Sequence, residues 1–466
     1  MFLRQITDFS LAQHAYLIGC QRSGEAIIID PERDIDRYLK VAADNQLRIT
    51  AVADTHIHAD YLSGARELLE HHGVTAYLSA EGGSDWQFEW AKNHPRAHLL
   101  RHDETFHIGK IAIRALLTPG HTPEHMSFLI TDHGGGADEP IALLSGDFIF
   151  VGDVGRPDLL ESAAGQSGVM EPSARQLYAS LRETRTLPDH LQILPAHGAG
   201  SACGKSLGAI PTSVMGYERK FNPALREALT SDEPSFVEHI LSGQPEPPVY
   251  FERMKRENRS GPALLVNGTL PSPRRITFQE VRTLMGHVTI LDMRTEHAAF
   301  AQNHLRGSLF APLKGGRFSV SAGSYVTATS DILLVAEHPQ QVEEATRQLI
   351  RIGLDQVIAW IPADEILNHP DLLKSYPSIS PEDIPPDAKV LDVRGAEEFQ
   401  TSHLRGAQQI AHTRLAAQLH EISKDRPLHI HCASGMRAAM ASSFLSSKGY
   451  DVIHVNGSFP PFPSAR

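Results

Sequence analysis

Short apolar runs alternate with helix-like stretches over roughly the first 240 residues, and each run stops at a turn former or a chemistry-bearing residue. Ala26-Ile27-Ile28-Ile29-Asp30 halts at Pro31, and Thr50-Ala51-Val52-Ala53-Asp54 leads into a histidine-rich loop. Ile111 to Leu117 runs into Thr118-Pro119-Gly120-His121, Ile141 to Ser145 into Gly146-Asp147, and Leu191 to Leu194 into Pro195-Ala196-His197. Unbroken apolar runs of this length predict strands buried on both faces. Helical stretches between them predict an α/β domain. Residues just past the strand ends are held by the sheet, so several side chains there can be preorganised around one ion.

A stretch rich in proline and charge, from Ser242 through Pro245 and Pro248 to Pro262, predicts a linker. Beyond it lies an internal repeat of about 100 residues. Leu291-Asp292-Met293-Arg294, Phe300 and His304-Leu305-Arg306-Gly307 return as Leu391-Asp392-Val393-Arg394, Phe399 and His403-Leu404-Arg405-Gly406. Each copy continues as strand, helix, strand, which predicts two small parallel α/β domains. The division expected is residues 1–245, a linker over 246–270, and copies at 271–372 and 376–466.

Composition narrows the function classes. A chain of 466 residues suggests about three domains. The formal net charge of −12 argues against nucleic-acid partners and against an anionic membrane surface. No apolar run approaches the ~18 residues of a membrane span, and Met1 to Asp8 lacks the apolar core of a signal peptide. Three scattered cysteines, Cys20, Cys203 and Cys432, do not form a disulfide framework, which points to a reducing cytoplasm.

His56, His58, His121, Asp147 and His197 at successive strand ends point to a metal centre. The string His56-Ile57-His58-Ala59-Asp60 resembles the metallo-β-lactamase superfamily, whose fold is an αββα sandwich. In that family a histidine usually follows the aspartate. Tyr61 stands there in this chain, and the departure favours a single metal. Within the superfamily the chain resembles the persulfide dioxygenases. By position, that resemblance implies one Fe(II) per chain held by His56, His121 and Asp147, with zinc as the alternative. Two histidines and a carboxylate leave open positions for dioxygen and a substrate sulfur. His58, Asp60, Tyr61 and His197 then surround the ligands. Arg156, in Gly152-Asp153-Val154-Gly155-Arg156-Pro157-Asp158, is expected to pair with a carboxylate of a thiol cofactor.

At the other end, Leu428-His429-Ile430-His431 runs into Cys432-Ala433-Ser434-Gly435-Met436-Arg437. Backbone N–H groups from Ala433 through Ser434, Gly435 and Met436 to Arg437, and the helix that follows, are expected to surround the sulfur and stabilise a thiolate or persulfide. This loop resembles the active-site loop of the rhodanese family. Cys-x4-Arg is one residue shorter than the Cys-x5-Arg loop of phosphatases of related fold, and suits sulfur better than phosphate. The middle copy has Ala336-Glu337-His338-Pro339-Gln340 at this place, with no nucleophile, and is expected to be structural. Cys203, six residues past His197, is either a persulfide relay near the metal or a plain loop cysteine. Gly204-Lys205-Ser206 beside it lacks the first glycine and the lead-in strand of a phosphate-binding loop, so nucleotide binding is rejected. Cys20 is expected to be structural.

Together these resemblances imply a persulfide dioxygenase–sulfurtransferase fusion. Its partners are a low-molecular-weight thiol persulfide, dioxygen, and sulfite or thiosulfate. By analogy with the family the chain is a homo-oligomer. Two rivals remain open: a zinc thioesterase of the glyoxalase II kind fused to a sulfurtransferase, and a sulfur-carrier or sensor protein.

Overall fold

A computed structural model describes residues 1–162, 168–244, 246–315 and 317–457. Pro245 of the expected linker and positions 458–466 of the expected last domain lie outside the described residues. The chain divides into two compact units, Met1–Thr269 with Arg351–Gly353, and Leu270–Ile350 with Leu354–Arg466.

In the first unit, strands β1 (Phe2–Asp8), β2 (Gln13–Cys20), β3 (Glu25–Ile29), β4 (Arg48–Ala53), β5 (Thr75–Ser79) and β6 (Ala97–Leu100) form one six-stranded sheet in sequence order. Its first pairings are antiparallel and those from β3 to β6 are parallel. A second six-stranded sheet holds β7 (Thr105–Ile108), β8 (Ile111–Leu117), β9 (Met126–Asp132), β10 (Ala142–Gly146), β11 (Gln192–Pro195) and β12 (Ser213–Val214). The β10–β11 pair is parallel there and the other pairs are antiparallel.

The period of a strand explains the layering. Ile27 and Ile29 point into a core shared with Ile113, Phe128, Ile130 and Leu144 of the second sheet. Ile28 points the other way, against Tyr38, Leu68 and Leu69 of covering helices. On the far side of the second sheet Leu143 and Ile193 pack on Leu177, Leu181 and Phe236. Each sheet is buried on both faces, which is why the runs read as continuously apolar. Removing any one of these isoleucines from water stabilises the fold by about 1.5–3 kcal/mol. The result is the expected αββα sandwich.

The stretch expected as a linker differs from that reading. Within 246–270 a helix spans Phe251–Ser260, belongs to the first unit, and buries Phe251, Met254, Lys255 and Asn258. The spacing of those residues is i, i+3, i+4, i+7, one face of a helix. Flanking prolines and charges mask it.

The second unit holds both copies of the repeat. In the middle copy, β13 (Arg274–Arg275), β14 (Thr289–Asp292), β16 (Leu309–Phe310), β17 (Ile332–Ala336) and β18 (Val357–Pro362) form a parallel sheet in the order 13-18-17-14-16. Short strands β15 (His304–Leu305) and β19 (Leu373–Lys374) pair beside it. In the last copy, β20 (Ser378–Ile379), β21 (Lys389–Asp392), β22 (Gln408–Gln409), β23 (Leu428–His431) and β24 (Val452–Val455) repeat the pattern as 20-24-23-21-22. Among the described residues no helix is long and apolar enough to cross a membrane.

Candidate metal centre and thiol loop

Four strands deliver the metal-type residues. His56 lies three residues past β4, His121 four past β8, Asp147 directly after β10 and His197 two past β11. The β10 end requires glycine: Gly146 has φ +54, and a Cβ there would lie 2.5 Å from His125 Nε2. The turn lets the Asp147 N–H donate to His125 Nε2 at 3.0 Å and swings the carboxylate into the site.

The ligand atoms of His56, His121 and Asp147 lie within 4.8 Å of one another, and all three residues are buried. His121 Nε2 is 3.4 Å from Asp147 Oδ2, and His56 Nε2 is 4.0 Å from the same oxygen. His121 Nδ1–H donates to the Arg156 carbonyl at 2.9 Å, which fixes the tautomer and leaves Nε2 with its lone pair. His56 Nδ1 meets the Thr55 hydroxyl at 3.0 Å, so its Nε2 also faces the site. Neither Asp147 oxygen has a hydrogen-bond partner among the described residues. Burial pushes the Asp147 carboxyl up to about 6 and the His121 imidazole down to about 3. Buried carboxylate oxygens without donors, facing neutral imidazole lone pairs, are what a cation would satisfy. The residues fit a metal ion.

A second group, Asp60, His197 and Cys203, also has its ligand atoms within 4.8 Å of one another. His197 Nε2 lies 3.4 Å from Asp60 Oδ2 and 3.5 Å from Asp147 Oδ1. Burial raises the Cys203 thiol well above its ordinary range, with the Asp60 and Asp147 carboxylates adding to the rise. The loop cysteine thus sits beside the histidine that precedes it in sequence.

His58 belongs to a third buried group, with Asp30 and Asp54. Its Nε2 is 3.1 Å from Asp30 Oδ1. Burial depresses this imidazole, but the Asp30, Asp54 and Asp60 carboxylates together outweigh it and hold the group up at about 9. Tyr61 stacks on His58 with ring centroids 4.5 Å apart, and its hydroxyl lies 3.0 Å from His58 Nε2 and 3.3 Å from the Asp30 carbonyl. The phenol therefore braces His58.

Arg156 is buried and paired within the chain. Its side chain is 1% exposed, and Nε and Nη2 donate to Asp158 Oδ1 and Oδ2 at 2.8 and 2.6 Å. The carboxylate it clasps is the chain's own, two residues away. Its backbone does the work at the site: the carbonyl holds His121 and the N–H donates to the Cys203 carbonyl at 3.3 Å.

Several site residues escaped the sequence reading. Asp30 adopts φ +53 at the end of β3 and accepts the Thr55 N–H at 2.7 Å and hydroxyl at 2.9 Å. Glu124 accepts the Ile57 N–H at 2.8 Å. Asn258, in the supposed linker, donates to the carbonyls of His58 and Tyr61 at 2.8 and 2.7 Å. The available signals were an aspartate closing an apolar strand, the acid and second histidine after His121, and the helical spacing around Asn258.

In the last copy, Cys432 directly follows β23 and its side chain is 1% exposed. Its Sγ accepts the N–H of Gly435 at 3.1 Å and of Ala438 at 3.4 Å. The expected ring of donors from Ala433 to Arg437 thus narrows to Gly435, with Ala438 one residue beyond. Ala433, Ser434 and Met436 are exposed and form the outer wall of the loop. Arg437 faces Cys432 and pairs with Glu398 at 2.5 and 2.8 Å. That partner, 39 residues upstream, was not singled out in the sequence.

Two family models match the chain: the metallo-beta-lactamase superfamily over residues 10–197 and the rhodanese-like domain over residues 382–464. A metallo-beta-lactamase from Staphylococcus aureus subsp. aureus COL is 38% identical in its solved structure, with a TM-score of 0.67 over 78% of this chain and 98% of that one. The "hydroxyacylglutathione hydrolase-like protein" of Mus musculus is 30% identical over 52% of this chain and 84% of its own length. "Persulfide dioxygenase ETHE1, mitochondrial" of Bos taurus is 28% identical over 48% of this chain and 76% of its own. This chain belongs to the metallo-β-lactamase superfamily and carries a C-terminal rhodanese-like domain. Its relatives include both a persulfide dioxygenase and glyoxalase II-like proteins.

Proposed function

We propose that the first unit is an Fe(II)-dependent persulfide dioxygenase and that the last copy of the repeat is its sulfurtransferase partner, in a route of sulfide detoxification. The observation that carries the reading is the buried set His56, His121 and Asp147, two imidazoles and one carboxylate with ligand atoms converging. When bound there, iron supplies open coordination positions and the redox chemistry for dioxygen. The overall reaction is RSSH + O2 + H2O → RSH + SO3²⁻ + 2 H⁺. Asp147 contributes the negative charge of the ligand set. Thr55 and the Arg156 carbonyl hold the two imidazoles so that Nε2 of each faces the metal position.

In the last copy, the Cys432 thiolate attacks the outer sulfur of thiosulfate. A new S–S bond forms, the old one breaks, and sulfite leaves with the electron pair. The N–H groups of Gly435 and Ala438 hold the negative sulfur. A thiol acceptor then takes the outer sulfur and frees Cys432, which supplies persulfide for oxidation. Run the other way, a persulfide charges Cys432 and sulfite accepts the sulfur to give thiosulfate. Both directions use the same residues. The middle copy has no nucleophile at the matching strand end and serves as scaffold. Three cysteines without a disulfide suit a reducing cytoplasm.

A second reading is a zinc thioesterase of the glyoxalase II kind. It is favoured by the Asp60, His197 and Cys203 group beside Asp147 and by the glyoxalase II-like relatives. The test is anaerobic purification without added metal, metal analysis, then oxygen uptake on adding glutathione persulfide. Iron with oxygen uptake supports the dioxygenase. Zinc with thioester hydrolysis and no oxygen uptake overturns it.

A further inference from the structure

The Cys432 loop has an anchor that neither the metal chemistry nor the cysteine accounts for. Gly435 adopts φ +93 and ψ −28, the left-handed region, and a Cβ there would lie 2.6 Å from Asn456 Oδ1. In this conformation its N–H points at Cys432 Sγ at 3.1 Å. Its carbonyl lies 3.0 Å from Nε2 of His454, on β24. A carbonyl only accepts, so Nε2 carries the proton. Nδ1 of the same ring lies 2.9 Å from the Ser378 hydroxyl, on the neighbouring strand β20, and accepts from it. Both ring nitrogens are therefore engaged, and one tautomer is selected.

The surroundings keep this imidazole neutral. His454 is 1% exposed. Burial lowers its affinity for a proton. His297 of the middle copy packs on it with centroids 4.1 Å apart, and is itself held by the Tyr376 hydroxyl at 3.0 Å. The matching strand of the middle copy, Val357–Pro362, has no histidine, and the loop of that copy has no cysteine to hold.

Resting on the sulfurtransferase reading above, we propose that His454 is a positioning residue of sulfur transfer. Its neutral Nε2–H tautomer, selected by Ser378, grips the Gly435 carbonyl and so holds the Gly435 N–H on the cysteine sulfur. No proton is moved by His454 during transfer.

The test compares His454→Leu with His454→Gln in the full-length protein. A glutamine amide can offer an N–H close to the Nε2 position, whereas leucine cannot. Thiosulfate-to-cyanide transfer is measured as kcat and KM. The rate of Cys432 alkylation by iodoacetamide is followed by mass spectrometry of its peptide. We expect His454→Leu to lower kcat about tenfold and to change the Cys432 alkylation rate by a similar factor. His454→Gln should stay within about threefold of the parent protein in both. Equal impairment of both folded variants, or no change in the leucine variant, overturns the proposal. If His454→Leu fails to fold, Ser378→Ala decides. The proposal expects it to slow transfer several-fold, and parent-level transfer refutes it. Alkylation needs no sulfur donor, so it tests the positioning even if the parent protein proves inactive with thiosulfate, which would instead sink the sulfurtransferase reading.

Discussion

The middle and last copies of the repeat build the same frame around different loops. Arg294 Nη2 donates to Asp292 Oδ2 at 2.7 Å and to the Asn303 carbonyl at 2.8 Å. Arg394 Nη2 does the same to Asp392 Oδ2 at 2.6 Å and the Ser402 carbonyl at 2.7 Å. His304 and His403 each donate from Nδ1 to a phenylalanine carbonyl at 2.8 Å, and each stacks on that phenylalanine. The residue between each acid and arginine donates to the end of the next strand, Met293 to Val335 and Val393 to His431. One residue further along that next strand the copies part. The last copy turns into a glycine-containing loop whose N–H groups face a sulfur. The middle copy has Ala336 there, and the residue after it, Glu337, accepts from the N–H and hydroxyl of Thr295 at 3.3 and 3.1 Å. The shared motif is thus architecture, and the two copies differ in a few residues grafted onto it.

The sharpest way to break this comparison is to remove the sulfur. Cys432→Ser should lower thiosulfate-to-cyanide transfer by on the order of 10³-fold or more, because a serine hydroxyl is a far weaker nucleophile and forms no persulfide. Oxygen uptake with a small-molecule persulfide should persist. Sulfur transfer surviving in this variant would move the role to Cys203 or to the middle copy.

The frame can be broken next, in both copies. Arg294→Met and Arg394→Met each leave a buried aspartate without its cation and should each cost about 3 kcal/mol, read by denaturant unfolding. Similar losses would show that the frames are equivalent. A large loss in only one copy would show that the resemblance is geometric but not energetic.

A smaller effect separates the copies by pH. The Arg437 hydrogen bond holds the Glu398 carboxyl below its usual value, against a smaller opposing effect of burial. A carboxyl depressed in the folded state stabilises above its ordinary range near pH 4.5, and that contribution is lost as pH falls through the folded value. Both partners are partly solvated, so the contribution should be under about 1 kcal/mol. Glu398→Gln should flatten the acid side of the stability curve as pH falls below the ordinary carboxyl range near pH 4.5. An unchanged slope would remove the pair from the account.

The smallest expected effect is none. His338, exposed at the start of the middle copy's helix, should tolerate alanine with stability within about 0.5 kcal/mol and sulfur transfer unchanged. A selective loss of transfer would make the middle loop functional after all.

Much of this was legible in the residues. Unbroken apolar runs such as Ile27-Ile28-Ile29 and Leu428-His429-Ile430-His431 announce strands because strand burial depends on local spacing alone. The repeat was legible because Asp292 with Arg294 and Asp392 with Arg394 satisfy each other within three residues. His56, His121, Asp147 and Cys432 could be named because each lies within four residues of the end of such a strand. Tertiary structure alone decided what meets across long separations. Asp30 reaches Thr55 and His58, Asn258 caps the carbonyls of His58 and Tyr61, and Glu398 finds Arg437. Arg156 shows the limit from the other side: a short charged motif marks that an arginine needs a carboxylate, but not whether the chain or a ligand provides it. Period and strand ends are local properties. The partner of a buried charge depends on which distant segments the packed core brings within hydrogen-bonding reach.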